Sequence, residues 1–283
     1  MRRHEISDRE WELVKDLLPV PKKRGRRPTQ ARKVLNGMLW ILRTGAPWRD
    51  LPERYGPWRT VYDRFNLWSR NSTFDRIVSR LQAQLDAQGH IDWELFCIDG
   101  SVVRASRAAA GARKKSPPGE PVDHALGRSR GGFSTKIHLL VDGKGLPLVV
   151  EVTPGQRHES TCFEKVIQAV NVTQSRGRPR CRPRRLAGDK GYSYPAIRRW
   201  LRRRRIEAVI PQRQDQRSRH KGRPLKFDRQ AYRQRNVVER CIGWLKENRR
   251  VAVRYEKLAI NYLGMLKLAM IQRYLTTEFP NRA

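Results

Sequence analysis

A chain of 283 residues with 61 Lys and Arg against 27 Asp and Glu carries a formal net charge of +34. Self-repulsion on that scale calls for a polyanionic partner, with nucleic acid the natural candidate, although charge alone does not choose DNA over RNA. No apolar run approaches the ~18 residues of a membrane helix and no signal-peptide core follows Met1, so a cytosolic protein is expected, without a membrane partner.

Cys97, Cys162, Cys181 and Cys241 stand too far apart for a paired metal-binding spacing and read as reduced thiols. An apolar fraction of 38% suffices for a core in one large domain or two smaller ones. Residues 1 to about 90 read as helical. Ser7 and Glu10 have the form of a capping box, with Ile6 and Trp11 able to close a hydrophobic staple. A second helix follows Pro28-Thr29, with Val34, Leu35, Met38, Leu39 and Leu42 at helical spacing and Gly45 as its stop. Two more helical runs cover Trp58–Trp68 and Ser72–Leu85. Short helices joined by Gly/Pro turns, with arginines outward, predict a small helix-turn-helix-like DNA-binding domain over 1–90; the competing reading is a plain helical subdomain packed on the remainder of the chain. The five tryptophans of this region are expected in its core.

From Leu95 the pattern becomes strand and helix in alternation. Leu95-Phe-Cys-Ile-Asp99-Gly reads as a short buried strand ending in an acid and a glycine, and Arg185-Leu-Ala-Gly-Asp189-Lys-Gly-Tyr192 repeats that form. Between them, Phe133–Val141 alternates as a strand with one apolar face, Asp142-Gly-Lys-Gly145 reads as a hairpin turn, and Leu146–Thr153 as the return strand. His138 reads as a satisfied core histidine or a hydrogen-bonding neighbour of the site rather than a metal ligand. A helix over about 160–170, a basic helix over Pro195–Arg205 and a strand at Ala208–Pro211 lead to a last helix carrying Glu239. Basic loops are expected at 107–121, 174–184 and 212–226. In the second of these, Ser175-Arg176-Gly-Arg178-Pro-Arg180 has the form of an AT-hook core, weighed against a solvated phosphate-seeking loop without base preference.

The last helix carries Tyr232, Arg235, Glu239 and Lys246 at spacings of three, four and seven. A continuous helix would bring these four into one sector, with Val237, Val238, Trp244 and Leu245 opposite. Glu239 is then the third carboxylate on a third element.

The Tyr-(2)-Arg-(3)-Glu-(6)-Lys spacing, the Cys-Ile-Asp99-Gly-Ser strand and the Gly-Asp189-Lys-Gly-Tyr turn resemble the DDE transposases of bacterial insertion sequences, in particular the insertion sequence 5 family. Asp123–His138, Gly25-Arg26-Arg27-Pro and Gly45-Ala-Pro-Trp-Arg-Asp-Leu-Pro52 share the resemblance. It implies a ribonuclease-H-like α/β catalytic domain over 91–283, a mixed sheet with flanking helices, which agrees with the order of elements read from the residues. It implies Asp99, Asp189 and Glu239 as catalytic, metal-holding acids for two Mg²⁺ or Mn²⁺ ions, with Asp99 bridging both. It also implies cleavage at the element ends and strand transfer into target DNA, by a homo-oligomer assembled on double-stranded DNA in a nucleoid-associated, cytoplasmic setting. Tyr232, Arg235 and Lys246, with Arg26, Arg27, Arg176 and Arg178, are the expected DNA-binding residues. A silent copy acting as a repressor of transposition is the alternative; a structural RNA-binding protein would explain the charge and leave three carboxylates without a purpose.

Overall fold

Ser7 opens the first helix as its sequence predicts. Its Oγ accepts from the Glu10 N–H at 3.3 Å while the Glu10 carboxylate accepts from the Ser7 N–H at 2.7 Å, satisfying two donors that a helix start leaves free. The computed structural model describes residues 4–19, 29–112, 117–129, 131–218 and 227–278, so Arg26, Arg27 and the basic run 219–226 lie outside the described residues. The amino-terminal helices are α1 (Asp8–Val14), α2 (Ala31–Thr44), α3 (Trp58–Arg70) and α4 (Thr73–Ala87). The apolar spacing of α2 buries Val34, Leu35, Met38, Leu39, Ile41 and Leu42, and Gly45 stops the helix at φ 71°, a left-handed conformation that glycine adopts without steric cost.

The mixed sheet is built from β1 (Leu95–Arg104), β2 (Gly127–Ser129), β3 (Gly132–Asp142), β4 (Pro147–Pro154), β5 (Arg185–Ala187) and β6 (Glu207–Val209). Its order is β4-β3-β1-β5-β6, with β2 paired to the start of β3; β3 runs antiparallel to β1 and β4, whereas β5 and β6 run parallel to β1. Asp142 sets the β3–β4 hairpin, its carboxylate accepting from the Lys144 and Leu146 N–H groups. The later helices are α5 (Phe163–Gln168), α6 (Pro195–Arg203), α7 (Gln214–Ser218), α8 (Arg229–Arg233), α9 (Asn236–Glu247), α10 (Arg249–Ala252) and α11 (Ala259–Glu278). This is the ribonuclease-H-like mixed α/β architecture, preceded by an all-helical region.

Three local expectations change. Asp99 does not end its strand: β1 runs on to Arg104, because the long antiparallel partner β3 continues to pair it through Arg104↔Ser134. Nor does β3 have one apolar and one wet face; from Ser134 onward all but Lys136 are buried, since helices cover both sides of the sheet. The stretch 229–247 is two helices rather than one, broken at Gln234 and Arg235, so Tyr232 sits on α8 while Glu239 and Lys246 sit on α9.

The carboxy-terminal helix α11 returns across the molecule to pack on α2, α3, α4 and β4. A Cβ at Gly264 would sit 3.4 Å from Phe65 Cζ and collide with the Ser69 hydroxyl, so that glycine permits the close approach of α11 and α3. Tyr274 ties the layers together, donating to the Pro147 carbonyl at 2.6 Å and accepting from Gln82 Nε2 at 2.9 Å, while the same amide nitrogen reaches the Leu148 carbonyl. Among the described residues no helix is long and apolar enough to cross a membrane. The described cysteines are free thiols, three of them buried and Cys181 exposed.

Within the sheet, His138 is 1% exposed; its Nε2 pairs with Thr153 Oγ1 at 2.8 Å, and its Nδ1 has no partner among the described residues. It is a core histidine with one ring nitrogen satisfied. Burial, with Lys136, Lys165 and Arg157 nearby, lowers its pKa from the usual 6.5 to about 4.

Two consequences can be measured. Replacing Tyr274 with Phe leaves buried polar groups of β4 and α4 short of a partner, and is expected to cost about 1–3 kcal/mol in urea unfolding. His138 gives a pH signature: the folded chain keeps the ring neutral while the unfolded chain protonates it. Stability should therefore fall as pH drops from 6.5 towards 4 and be unaffected above 6.5, with roughly 3 kcal/mol as the ceiling. The difference in unfolding free energy between wild type and His138→Gln should shrink over that window; a constant difference would mean the ring is charged in the fold.

Candidate active site

Parallel pairing of β1 with β5 ends at Cys97↔Ala187. Asp99 and Asp189 each follow two residues later, so the register delivers both carboxylates to the place where the two strands part. Asp99 Oδ1 accepts from the Gly100 N–H at 2.9 Å, and Asp189 Oδ1 from the Gly191 N–H at 2.8 Å, at the start of the single turn Lys190–Tyr192. Each acid is therefore aimed by its own following glycine. Asp189 also caps the Lys190–Tyr192 turn, whereas Asp99 lies within β1, where the bond to the Gly100 N–H fixes its direction alone.

Helix α9 brings the third acid. Val237, Val238, Cys241 and Leu245 are buried beneath it, and the two valines and the leucine contribute about 1.5–3 kcal/mol each to seating the helix. That face holds Glu239 on the other side, where its carboxylate is 56% exposed. Arg235, at the break before α9, links the acids: Nη1 bonds Asp99 Oδ2 at 3.0 Å and Nη2 bonds Glu239 Oε1. Lys246 Nζ bonds Ser101 Oγ at 2.7 Å, so this lysine also faces β1, two residues beyond Asp99, rather than standing apart from the acids. Tyr232 packs against Phe227 in a tilted arrangement with ring centroids 5.2 Å apart, and its ring centre lies 5.8 Å from the Arg235 guanidinium. The helix break leaves the sequence spacing intact in effect, because Arg235 and Glu239 remain one turn apart.

The structure thus gathers Asp99, Asp189, Arg235, Glu239 and Lys246, with Tyr232 at the edge. It does not bring Arg176 and Arg178 there. They are exposed on a loop closed by the Val172↔Arg180 bridge and anchored near Asp86 and Trp93 by Gln174 and Arg180.

Sequence reasoning missed Glu159 and the meaning of Lys136. Glu159 opens the turn before α5, just ahead of the segment read as helix, and nothing in its spacing points to Asp99. Its Oε1 lies 3.5 Å from Lys136 Nζ. A Cβ on Gly100 would fall 2.8 Å from Glu159 Cγ and Oε1, and one on Gly191 would fall 3.4 Å from Glu159 Oε2.

Burial pushes the Asp99 carboxyl above its ordinary range; the Gly100 N–H and Arg235 oppose that, and Asp189 adds to it. Burial likewise raises Glu159, with Lys136 opposing and Asp189 and Asp99 adding. Beneath the turn the Tyr192 hydroxyl is buried and has no partner among the described residues. Carboxylate oxygens under mutual repulsion are the donor set that Mg²⁺ or Mn²⁺ prefers, and in that respect the site fits such an ion. Among the described residues, however, no three His, Cys, Asp or Glu side chains converge tightly enough to hold a metal, since Arg235 stands between Asp99 and Glu239.

The family profile described as "Transposase DDE domain" matches residues 93–272, and that described as "Putative transposase of IS4/5 family" matches residues 6–78. The chain is 37% identical over 107 residues to an uncharacterized 16.2 kDa protein of insertion element IS402 from Burkholderia cepacia, covering 35% of this chain and 73% of that protein. It is 35% identical over 157 residues to the "Putative transposase for insertion sequence element IS402" of the same species, covering 55% of this chain and 66% of the other. Among solved structures, a piggyBac transposase in a synaptic complex with hairpin DNA aligns at a TM-score of 0.46 and 10% identity, over 95% of this chain and 72% of that one. Matched by the DDE-domain profile over well more than half of its length, the chain belongs to the DDE transposases of insertion sequences.

Proposed function

We propose that this transposase cuts DNA at the ends of its insertion sequence and joins the freed 3′ end to target DNA, with Asp99, Asp189 and Glu239 as its acids. The observation that carries the reading is the β1–β5 register, which sets two carboxylates from distant parts of the chain side by side under a helix bearing a third. DDE transposase domains generally use divalent metals. Mg²⁺ or Mn²⁺, two ions in this reading, supplies Lewis acidity towards phosphate and water oxygens when bound. Asp99, Asp189 and Glu239 are the residues that would hold them, with Arg235 bonded to Asp99 and Glu239.

In the first reaction water attacks phosphorus, the P–O3′ bond breaks and the departing oxygen takes a proton, leaving a 3′-hydroxyl on the element. In the second, that hydroxyl attacks a target phosphodiester and displaces the target's own 3′ oxygen. Both are in-line displacements at a phosphodiester phosphorus, the first at the element end and the second in the target, so one set of residues can serve each in turn. Arg235 and Lys246 hold phosphates flanking that phosphorus, and Tyr232 bonds a phosphate or stacks on a base. Residues 1–90 form the DNA-binding domain and 91–283 the catalytic domain. Arg26, Arg27, Arg176 and Arg178 extend the grip along duplex DNA, on which the chain acts as a homo-oligomer.

Replacing Asp99, Asp189 or Glu239 singly with Ala is expected to abolish Mg²⁺-dependent nicking of element-end DNA while leaving DNA affinity within a few-fold. A variant that nicks at near wild-type rate would remove that residue from the triad. Phosphate contact has its own readout. Lys246→Ala or Arg235→Ala should each flatten the slope of log affinity against log salt by about 0.9 on duplex DNA, as one fewer counterion is released. An unchanged slope with a lowered melting temperature would instead restrict that residue to the bonds it makes within the protein.

A further inference from the structure

Asp99 and Gly100 point to opposite faces of the sheet, as successive strand residues do. Helix α9, with Arg235, Glu239 and Lys246, covers the Asp99 face. The Gly100 side is occupied by Glu159, carried on the turn Glu159–Cys162 that leads into α5. Its carboxylate reaches the triad acids from behind through a space that two glycines create. At Gly100 any side chain would meet Glu159 Cγ, Cδ and Oε1 at 2.8–2.9 Å; at Gly191 it would meet Asp189 Oδ1 at 2.8 Å and Glu159 Oε2 at 3.4 Å. The glycines that follow the two acids therefore aim those acids through their N–H groups, and by lacking side chains they also admit one further carboxylate between them. Lys136, only 12% exposed on β3, holds that carboxylate from its other side.

We propose that Glu159 is a positioning residue for the divalent-cation site, with Lys136 as its anchor, supporting the Lys190–Tyr192 turn that aims Asp189 and adding negative charge behind Asp99 and Asp189. The inference rests on the triad reading above. Two effects act together. Packing of Glu159 against Gly191 restrains the turn whose N–H orients Asp189, so the Asp189 oxygens are presented in one direction. A partly buried carboxylate near two others also raises the local negative potential, and Lys136 on Glu159 and Arg235 on Asp99 and Glu239 are two positive charges against four carboxylates, Asp99, Asp189, Glu239 and Glu159. The balance favours a small divalent cation over the protein's abundant monovalent side chains.

Mn²⁺ binding to the full-length protein without DNA, read from the electron paramagnetic resonance of free Mn²⁺, tests this without relying on cleavage. Glu159→Gln keeps the shape and the contact with Gly191 and loses the charge. It is expected to weaken Mn²⁺ binding by about tenfold or more, as loss of groups supporting metal ligands commonly does, with the melting temperature little changed. Gly100→Ala, which displaces the Glu159 side chain without altering any carboxylate, should weaken binding in the same direction. Asp189→Asn serves as reference and should remove binding altogether. If Glu159→Gln and Gly100→Ala bind Mn²⁺ as wild type does while Asp189→Asn does not, the role of Glu159 is overturned and the triad stands. If Asp189→Asn also binds normally, the triad reading fails and the role of Glu159 fails with it.

Discussion

Everything at the site depends on where the parallel ladder between β1 and β5 stops. Three paired residues, Leu95↔Arg185 to Cys97↔Ala187, join segments about ninety positions apart in sequence. Parallel partners diverge once the ladder ends, and the cleft that opens there is where side chains of both strands can meet a ligand. A shift of one residue in that register would turn either Asp99 or Asp189 to the opposite face. The ladder is short, so its register is held by what surrounds it: the long β1–β3 pairing on one side and β6 on the other. The same antiparallel partner that carries β1 past Asp99 therefore fixes the acid in place.

A second constraint is electrostatic. Asp99 sits in a poorly hydrated position with Asp189 beside it, and a guanidinium reaches it from α9. Arg235 suits this linkage because its fork can serve two carboxylates at once, which a lysine ammonium does less well. Arg235 keeps a right-handed helical backbone (φ −55°, ψ −23°) at the junction of α8 and α9, so it meets Glu239 one turn on while its guanidinium reaches across to Asp99 on β1. The contact with Glu239 is thus local and helical, whereas the contact with Asp99 joins distant parts of the chain.

That difference shows which parts of the molecule are legible in sequence. Caps and turns are legible because their chemistry is local: Ser7 with Glu10, Gly45 at φ 71° and Asp142 in its hairpin each act within a few residues. The existence and order of the strands are legible from apolar runs. The true end of β1 is not, because it is set by pairing with Ser134–Lys136, far along the chain, and the two-sided burial of β3 is hidden by the polar residues at its start. The three acids could be singled out because each lies in a motif with its own spacing. Glu159 carries no such spacing, and its position becomes visible only when Gly100 and Gly191, apparently simple turn glycines, are seen to face the same carboxylate.

The acid cluster at this cleft and the chain as a whole carry charge of opposite sign. A net charge of +34 favours a polyanionic partner such as DNA for the molecule as a whole and singles out no one position on it. At the cleft, Asp99, Asp189, Glu239 and Glu159 are met by two ion-paired cations, Arg235 and Lys136, with Lys246 bonded to the neutral Ser101. The acids are therefore under-compensated in a molecule that otherwise has cations in large excess. Backbone N–H groups from Gly100 and Gly191 make up part of the deficit without placing a full positive charge among the oxygens. In the proposed function, under-compensated carboxylates of this kind are the feature that would attract a divalent ion within a strongly basic chain. In the proposed reaction a divalent ion would offset the negative charge of the four carboxylates that a DNA phosphate has to approach.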